Sequence, residues 1–248
     1  AQPGKDAVPG GEISTQSRRA QRGFAEDDPA LLERVRACGV EGLGGACFPT
    51  AAKYEAALDP EAALSIRTEL LIINGCECEP EVSCDDELMR ECAAEIATGI
   101  RIIKHLLRPR LTIVALEQDK REAAAALGEA LGDDAQLRLL PVRYPSGAAR
   151  NLIKILTGVE IPYDMHTSDC GIVVSNVHTV YAVKRAVMDG EPLISRVITV
   201  TGAAMKEHGN ARVRLGSSVR FVLNSFHLNP EPRQRIIIGG PMMGFTTP

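Results

Sequence analysis

Small residues crowd positions 42–46, Gly42-Leu43-Gly44-Gly45-Ala46, and Lys53 follows one short segment later. Glycine leaves the backbone bare, so amide N–H groups can face an anion, and a lysine just behind adds a positive charge. That pairing suits a phosphate. Glycines in a loop also serve plain turn geometry, and this run matches neither G-x-G-x-x-G after a strand nor the Gly-Lys-Ser/Thr of a P-loop. A second chemistry-bearing stretch is Asn74-Gly75-Cys76-Glu77-Cys78-Glu79-Pro80. Its amide and carboxylates can accept hydrogen bonds from ribityl or ribose hydroxyls, or form an ordinary solvated loop. In a third, Asn176-Val177-His178-Thr179, Asn176 and Thr179 are candidates to meet a ligand, while His178 reads as a surface or cap residue.

Cys76, Cys78, Cys84 and Cys92 supply the four thiolates that an iron–sulfur or zinc site needs, although two or three meeting in space is the most the spacing suggests. There is no C-x-x-C, and Cys92 falls on an apolar helical stripe, so no metal site is expected in this chain. No Ser/His/Asp or Cys/His arrangement for nucleophilic catalysis stands out.

The elements that must position these residues alternate. Asp27-Asp28-Pro29 opens a helix that Gly39 stops, and 50–58 is a short helix directly after the glycine loop. The apolar run 69–74 reads as a strand buried on both faces, ending at Asn74. Asp85-Asp86 opens one long helix with the stripe Leu88, Cys92, Ile96, Ile100, Ile103 and Leu107, closed by Pro109. Strands at 111–116, 137–142 and 171–174 then alternate with helices at 119–131, after Tyr144-Pro145-Ser146-Gly147, and at 177–188. This grammar predicts an α/β layered sheet with crossover helices over 27–194, whose strand ends at Asn74 and Asn176 are where ligands collect. From residue 195 it changes to strands at 196–201, 211–215 and 235–238 around a helix at 217–226, a small separate β-plus-helix domain over 195–248. Residues 1–26, rich in Gly, Pro, Gln and Ser, read as a flexible N-terminal segment. Met242 and Met243 read as core.

The chain has 248 residues, 45% hydrophobic, 4% aromatic, no Trp and a net charge of -4, which leaves no basic footprint or stacking platform for nucleic acid. Seven cysteines, an odd number scattered through apparent elements, fit a reducing compartment. No apolar run reaches membrane-spanning length, so direct membrane insertion is not expected.

The strings Gly42-Leu-Gly-Gly-Ala-Cys-Phe-Pro-Thr, Asn74-Gly-Cys-Glu-Cys-Glu-Pro, Asp85-Asp-Glu-Leu-Met-Arg, Tyr144-Pro-Ser-Gly, Arg196-Val-Ile-Thr-Val-Thr-Gly and Gly239-Gly-Pro-Met-Met-Gly-Phe occur in one order. Together they resemble the C subunit of the Rnf (Rsx) ion-translocating electron-transport complex, from about residue 30 to the end. That family is similar in turn to the NADH-binding flavoprotein subunit of respiratory complex I. The resemblance implies FMN in the α/β part, hydride exchange with NAD(H), and a small β-grasp, soluble-ligand-binding (SLBB-like) domain. Carried over, Gly42, Gly44, Gly45 and Ala46 line the flavin, Lys53 meets its phosphate, and Asn74, Glu77, Cys78, Tyr144, Gly147, Asn176 and Thr179 complete the pocket. Phe48, Lys53 and Glu79 serve the nicotinamide dinucleotide.

The hydride chemistry belongs to the flavin, so no catalytic side chain is implied. The implied partners are the other subunits of a membrane electron-transport complex and a ferredoxin-like iron–sulfur carrier, at the cytoplasmic face of the inner membrane. The family's two [4Fe-4S] clusters belong to a cysteine-rich segment beyond Pro248. Three positions depart from the pattern: Cys47 stands where a loop glycine is usual, and Ala149 and His178 stand where the complex I relatives carry acids. The alternative expectation is a cofactor-free scaffold that docks partners with a degenerate flavin site.

Overall fold

The computed structural model describes residues 28–59, 68–229 and 235–247; the segment expected to be flexible, 1–26, lies outside them. Helix α1 (Asp28–Ala37) and helix α2 (Thr50–Leu58) flank the glycine loop. Strand β1 (Leu70–Gly75) follows, then helices α3 (Cys84–Glu91) and α4 (Ala93–Leu107), strand β2 (Leu111–Glu117), helix α5 (Arg121–Leu131), strand β3 (Gln136–Leu140), helix α6 (Ala149–Thr157) and strand β4 (Ile172–Asn176). Helix α7 (Val177–Lys184) leaves β4 without a loop and runs on through a π turn, Arg185–Asp189.

The four strands form one parallel sheet in the order β3-β2-β1-β4. Strand β1 is central, which is why it is a continuous apolar run rather than an alternating one. Leu71 and Ile73 point to one face, where α1, α2, α4, α5 and α7 contribute to a single core with Tyr54, Ile96, Ile100, Leu127 and Val180. Leu70 and Ile72 point to the other, where Leu152 and Ile153 of α6 cover them. Helices on both faces make a three-layer α/β architecture, as the alternation of elements predicts.

The order carries the functional information. The chain steps from β1 to β2 to β3 in one direction and then returns to lay β4 on the opposite side of β1. The connections therefore diverge above β1 and β4, the kind of switch point beyond whose carboxyl ends open α/β sheets take ligands.

The expected long helix is two helices. Cys92, with φ -121 and ψ 31, interrupts the run, and it is half-buried rather than part of a continuous buried stripe. On either side of the break the helices pack on α5, with α3 also touching β5 and α4 packing along α7. Where α4 meets α7, a Cβ on Gly99 would lie 2.3 Å from the Val180 carbonyl oxygen, so the backbones touch only because glycine is there.

After α7 come strand β5 (Ser195–Val200), strand β6 (Gly209–Arg214), helix α8 (Val219–Ser225), strand β7 (Ile236–Ile238) and strand β8 (Phe245–Thr247). Antiparallel pairs β5-β6 and β7-β8 form two small sheets, and Val200, Met205 and Val222 form a separate small core. This part is docked on the α/β layer. Asn210 Nδ2 donates to the Ser83 carbonyl at 3.2 Å and to Glu87 Oε2 at 2.6 Å, and Ser83 N–H donates to Thr199 Oγ1 at 3.0 Å. Met242 and Met243, expected in the core, are 54% and 74% exposed. Their position is set by backbone instead: their N–H groups both donate to the Glu79 carboxylate at 2.8 Å.

Candidate functional site

Asn74 and Asn176 are register partners at the carboxyl ends of β1 and β4, side by side at the point where the connections diverge. The glycine loop lies over them. Its two ends are pinned together, Gly42 N–H donating to the Phe48 carbonyl at 2.8 Å, and it is tied down by Leu43 N–H donating to Thr179 Oγ1 at 2.9 Å. A Cβ on Gly44 would lie 3.2 Å from Asn176 Cβ, so the bare backbone is what allows the loop to come this close to the β4 terminus. Residues 44–48 are exposed on the outer side, including Phe48 at 52%.

At Cys47 φ is 48, the left-handed region that glycine adopts freely and other residues resist. The cysteine keeps the path a glycine would take, so the departure at this position changes the side chain and leaves the loop's course intact. Directly after the loop, Thr50 opens α2 with its Oγ1 buried and without a hydrogen-bond partner. An orphaned hydroxyl beneath a glycine loop and at a helix start fits an anionic group held there. Lys53, one turn on, sends Nζ to the Val174 carbonyl of β4 at 3.0 Å, and burial lowers its pKa. An anion at the loop would offset that burial effect.

The strand-end residues are held by one another. Asn74 Nδ2 donates to the Gly147 carbonyl at 2.8 Å and its Oδ1 accepts from Cys76 N–H at 3.0 Å. This ties the turn 144–147, which contains a cis Tyr144-Pro145 bond, to the loop after β1. A Cβ on Gly147 would meet the Cys76 carbonyl oxygen at 2.6 Å and Cys78 Sγ at 3.3 Å, so Gly147 is where these two loops interlock. Asn176 Oδ1 caps α7 by accepting from His178 N–H at 2.9 Å, and Nδ2 donates to Asp85 Oδ2 at 2.7 Å. Glu77 accepts from Asp85 N–H at 2.8 Å and Asp86 N–H at 3.2 Å, capping α3. Burial, with Asp85 adding like charge, pushes the Glu77 carboxyl up to about 7. Asn74, Glu77, Asn176 and Thr179 are thus tied into the loops and helix starts around the β1 and β4 ends. Glu79 stands apart, committed to the 242–243 turn.

Two residues that carry this network were missed or misread in the sequence. Asp85, taken only as a helix start, links Asn176 and His178. His178 is not at the surface: its side chain is 3% exposed, with Nδ1 against Asp85 and Nε2 buried without a partner. Its Val-His-Thr context after a capping Asn was the available signal, because a residue in the first turn of a helix leaving a buried strand faces inward. Among the four clustered thiols, Cys84 meets Asp85 and His178, their ligand atoms within 4.8 Å of one another, rather than the other cysteines. Burial, then the charges of Asp85 and Glu77, pushes the Cys84 thiol up to about 12, which keeps it protonated. No disulfide joins the described cysteines.

Residues 35–185 match the family of the Nuo51 FMN-binding domain. The chain is similar to the C subunit of the ion-translocating oxidoreductase complex of Actinobacillus succinogenes, at 46% identity over 227 residues, covering 91% of this chain and 31% of that protein. It is also similar to the corresponding subunit from Pectobacterium atrosepticum, which bears the same name, at 46% over 246 residues, covering 97% and 34%. The chain therefore spans about a third of the length of the curated relatives it matches. Among solved structures, an NAD+-reducing [NiFe]-hydrogenase in the H2-reduced state superposes with a TM-score of 0.72 at 22% identity, covering 88% of this chain and 42% of that one, a likeness of fold.

Proposed function

We propose a function from one premise: the chain belongs to the family of the Nuo51 FMN-binding domain. In this reading the crevice at the carboxyl ends of β1 and β4 holds FMN, and the chain is the NADH-side part of the C subunit in an Rnf-type ion-translocating electron-transport complex. The observation that carries it is the glycine loop pinned across the β1/β4 switch point, with an orphaned Thr50 hydroxyl and Lys53 beneath it.

Gly42, Gly44, Gly45 and Ala46 would offer backbone to the flavin, and Lys53 with Thr50 would face its phosphate. When bound, FMN supplies the exchange between a two-electron hydride and single electrons. The protein's own part is positioning. Asn74 and Gly147, with Cys78 packed against Gly147, lock together the two loops that would flank the flavin, and Tyr144 would complete the pocket; Glu77 and Asn176 fix the starts of α3 and α7; Thr179 holds the loop down. Phe48, exposed on the loop, is available to stack on a nicotinamide dinucleotide. Glu79 serves from a distance, by setting the 240–243 turn.

The segment from Ser195 would be the β-grasp module, and a ferredoxin-like iron–sulfur carrier the electron partner, with the assembly at the cytoplasmic face of the inner membrane. No helix among the described residues is long and apolar enough to cross a membrane. The cofactor-free scaffold is the second reading. It is favoured by the way Asn74, Asn176 and Thr179 already satisfy their polar groups within the protein. A chain that retains no FMN on reconstitution would favour the scaffold, and anaerobic addition of NADH to the FMN-reconstituted chain tests the first reading. Bleaching of the flavin absorbance is expected, and an unbleached, bound flavin would remove NADH from the proposal.

A further inference from the structure

A cleft of about 340 Å³ opens between α7, the connection 191–194 and the β5-β6 hairpin, with Leu43 of the glycine loop on its wall. Four arginines line it, Arg185, Arg196, Arg212 and Arg214, against a single carboxylate, Glu191. Glu191 pairs with Arg185. Arg212 reaches only the Tyr181 hydroxyl, at 3.4 Å, and Arg196 only the carbonyls of Leu43 and Val197, so with Arg214 three guanidiniums have no carboxylate partner among the described residues.

They are arranged rather than loose. Arg185 and Arg212 both lie over the Tyr181 ring, at 5.7 and 5.6 Å from its centroid, and Arg185 also donates to its hydroxyl at 2.9 Å. Gathered along one wall, they offer an anion several charged donors at once. An independent feature points the same way. His178 lines the cleft, with Nδ1 engaged by Asp85 and Nε2 buried without a hydrogen-bond partner.

We propose that this cleft binds a small molecule bearing more than one phosphate group, at a site separate from the flavin crevice. Guanidinium forks match phosphate oxygens, and several of them with an imidazole suit more than one phosphate group. Leu43, Leu193 and Ile194 supply an apolar wall for the rest of the ligand, and the volume is that of a small-molecule pocket. A recessed cleft in a chain of net charge -4 lacks the broad basic face a membrane surface or nucleic acid requires. The site also touches the glycine loop: Arg196 donates to the Leu43 carbonyl at 3.4 Å, and Leu43 N–H is the loop's tie to Thr179. A ligand that draws on Arg196 therefore acts on that loop as well.

Calorimetric titration of the full chain with pyrophosphate and with ADP, at fixed ionic strength, tests this. Saturable one-site binding is expected, retained at saturating FMN and in Lys53→Ala. The double variant Arg212→Gln/Arg214→Gln should bind at least about tenfold more weakly, as loss of charge-assisted hydrogen bonds implies. Both arginines are exposed, so an unaltered circular dichroism melt will show that the variant is folded. Absence of saturable binding, binding indifferent to the double variant, or binding abolished by Lys53→Ala would each overturn the assignment. So would sedimentation with phosphatidylserine vesicles by a chain that ignores pyrophosphate.

Discussion

At the residue scale, the same side chains that look like ligand contacts in the sequence turn out to build the walls of the crevice. Asn74, Asn176 and Thr179 were legible as strand-end polar residues, because a buried strand followed by a polar residue announces where a parallel sheet ends. What the sequence could not give was direction: whether an amide faces a ligand or another loop depends on a partner such as Gly147, 73 residues away. Asp85 and His178, 93 residues apart, were illegible for the same reason. Glu77 carries a consequence that can be measured. Its carboxyl has an ordinary pKa of 4.5 and is pushed up to about 7, first by burial and then by Asp85. Between those values the folded chain keeps a proton that the unfolded chain has lost. The stability contributed by this group is therefore complete below 4.5 and is lost as pH rises through about 7. Denaturant unfolding at pH 5 and pH 8 should show the parent losing more stability across that interval than Glu77→Gln, in which nothing titrates. Equal losses would refute the assignment to Glu77.

At the scale of elements, alternating strands and helices were readable from apolar runs and caps, and so was the α/β class. The strand order was not, since continuous apolar runs such as 70–73 and 172–174 are equally buried in any central position. Only the order β3-β2-β1-β4 creates the switch point that brings Asn74 beside Asn176. The two helices read as one in the sequence because the apolar spacing passes through Cys92 without a break, whereas the backbone leaves the helical path there, with φ -121 and ψ 31. Gly99 is the residue on which the α4–α7 contact depends. Gly99→Ala inserts a methyl where 2.3 Å separates it from a backbone carbonyl oxygen, and the helices must part. A loss of about 1–3 kcal/mol is expected from overpacking, despite alanine's better helix propensity. Unfolding midpoints that match or exceed the parent's would show that the contact is looser than described.

At the scale of the whole molecule, two layers of organisation meet around the glycine loop. The α/β layer sets the loop over the β1 and β4 ends, and the small C-terminal sheets reach back to the same region through Arg196 at Leu43 and through the 242–243 turn at Glu79. The docking of this second part was not legible, because Asn210, Ser83 and Glu87 carry no motif that announces a contact across more than 120 residues. The most direct test of the account is an FMN titration of the purified chain, followed by quenching of flavin fluorescence, with Lys53→Ala in parallel. Saturable quenching is predicted for the parent, with affinity about ten- to a hundredfold weaker in the variant, the range expected for losing a charged hydrogen-bond donor. A folded parent that leaves flavin fluorescence unchanged at high micromolar FMN would contradict the claim that this crevice is a flavin site.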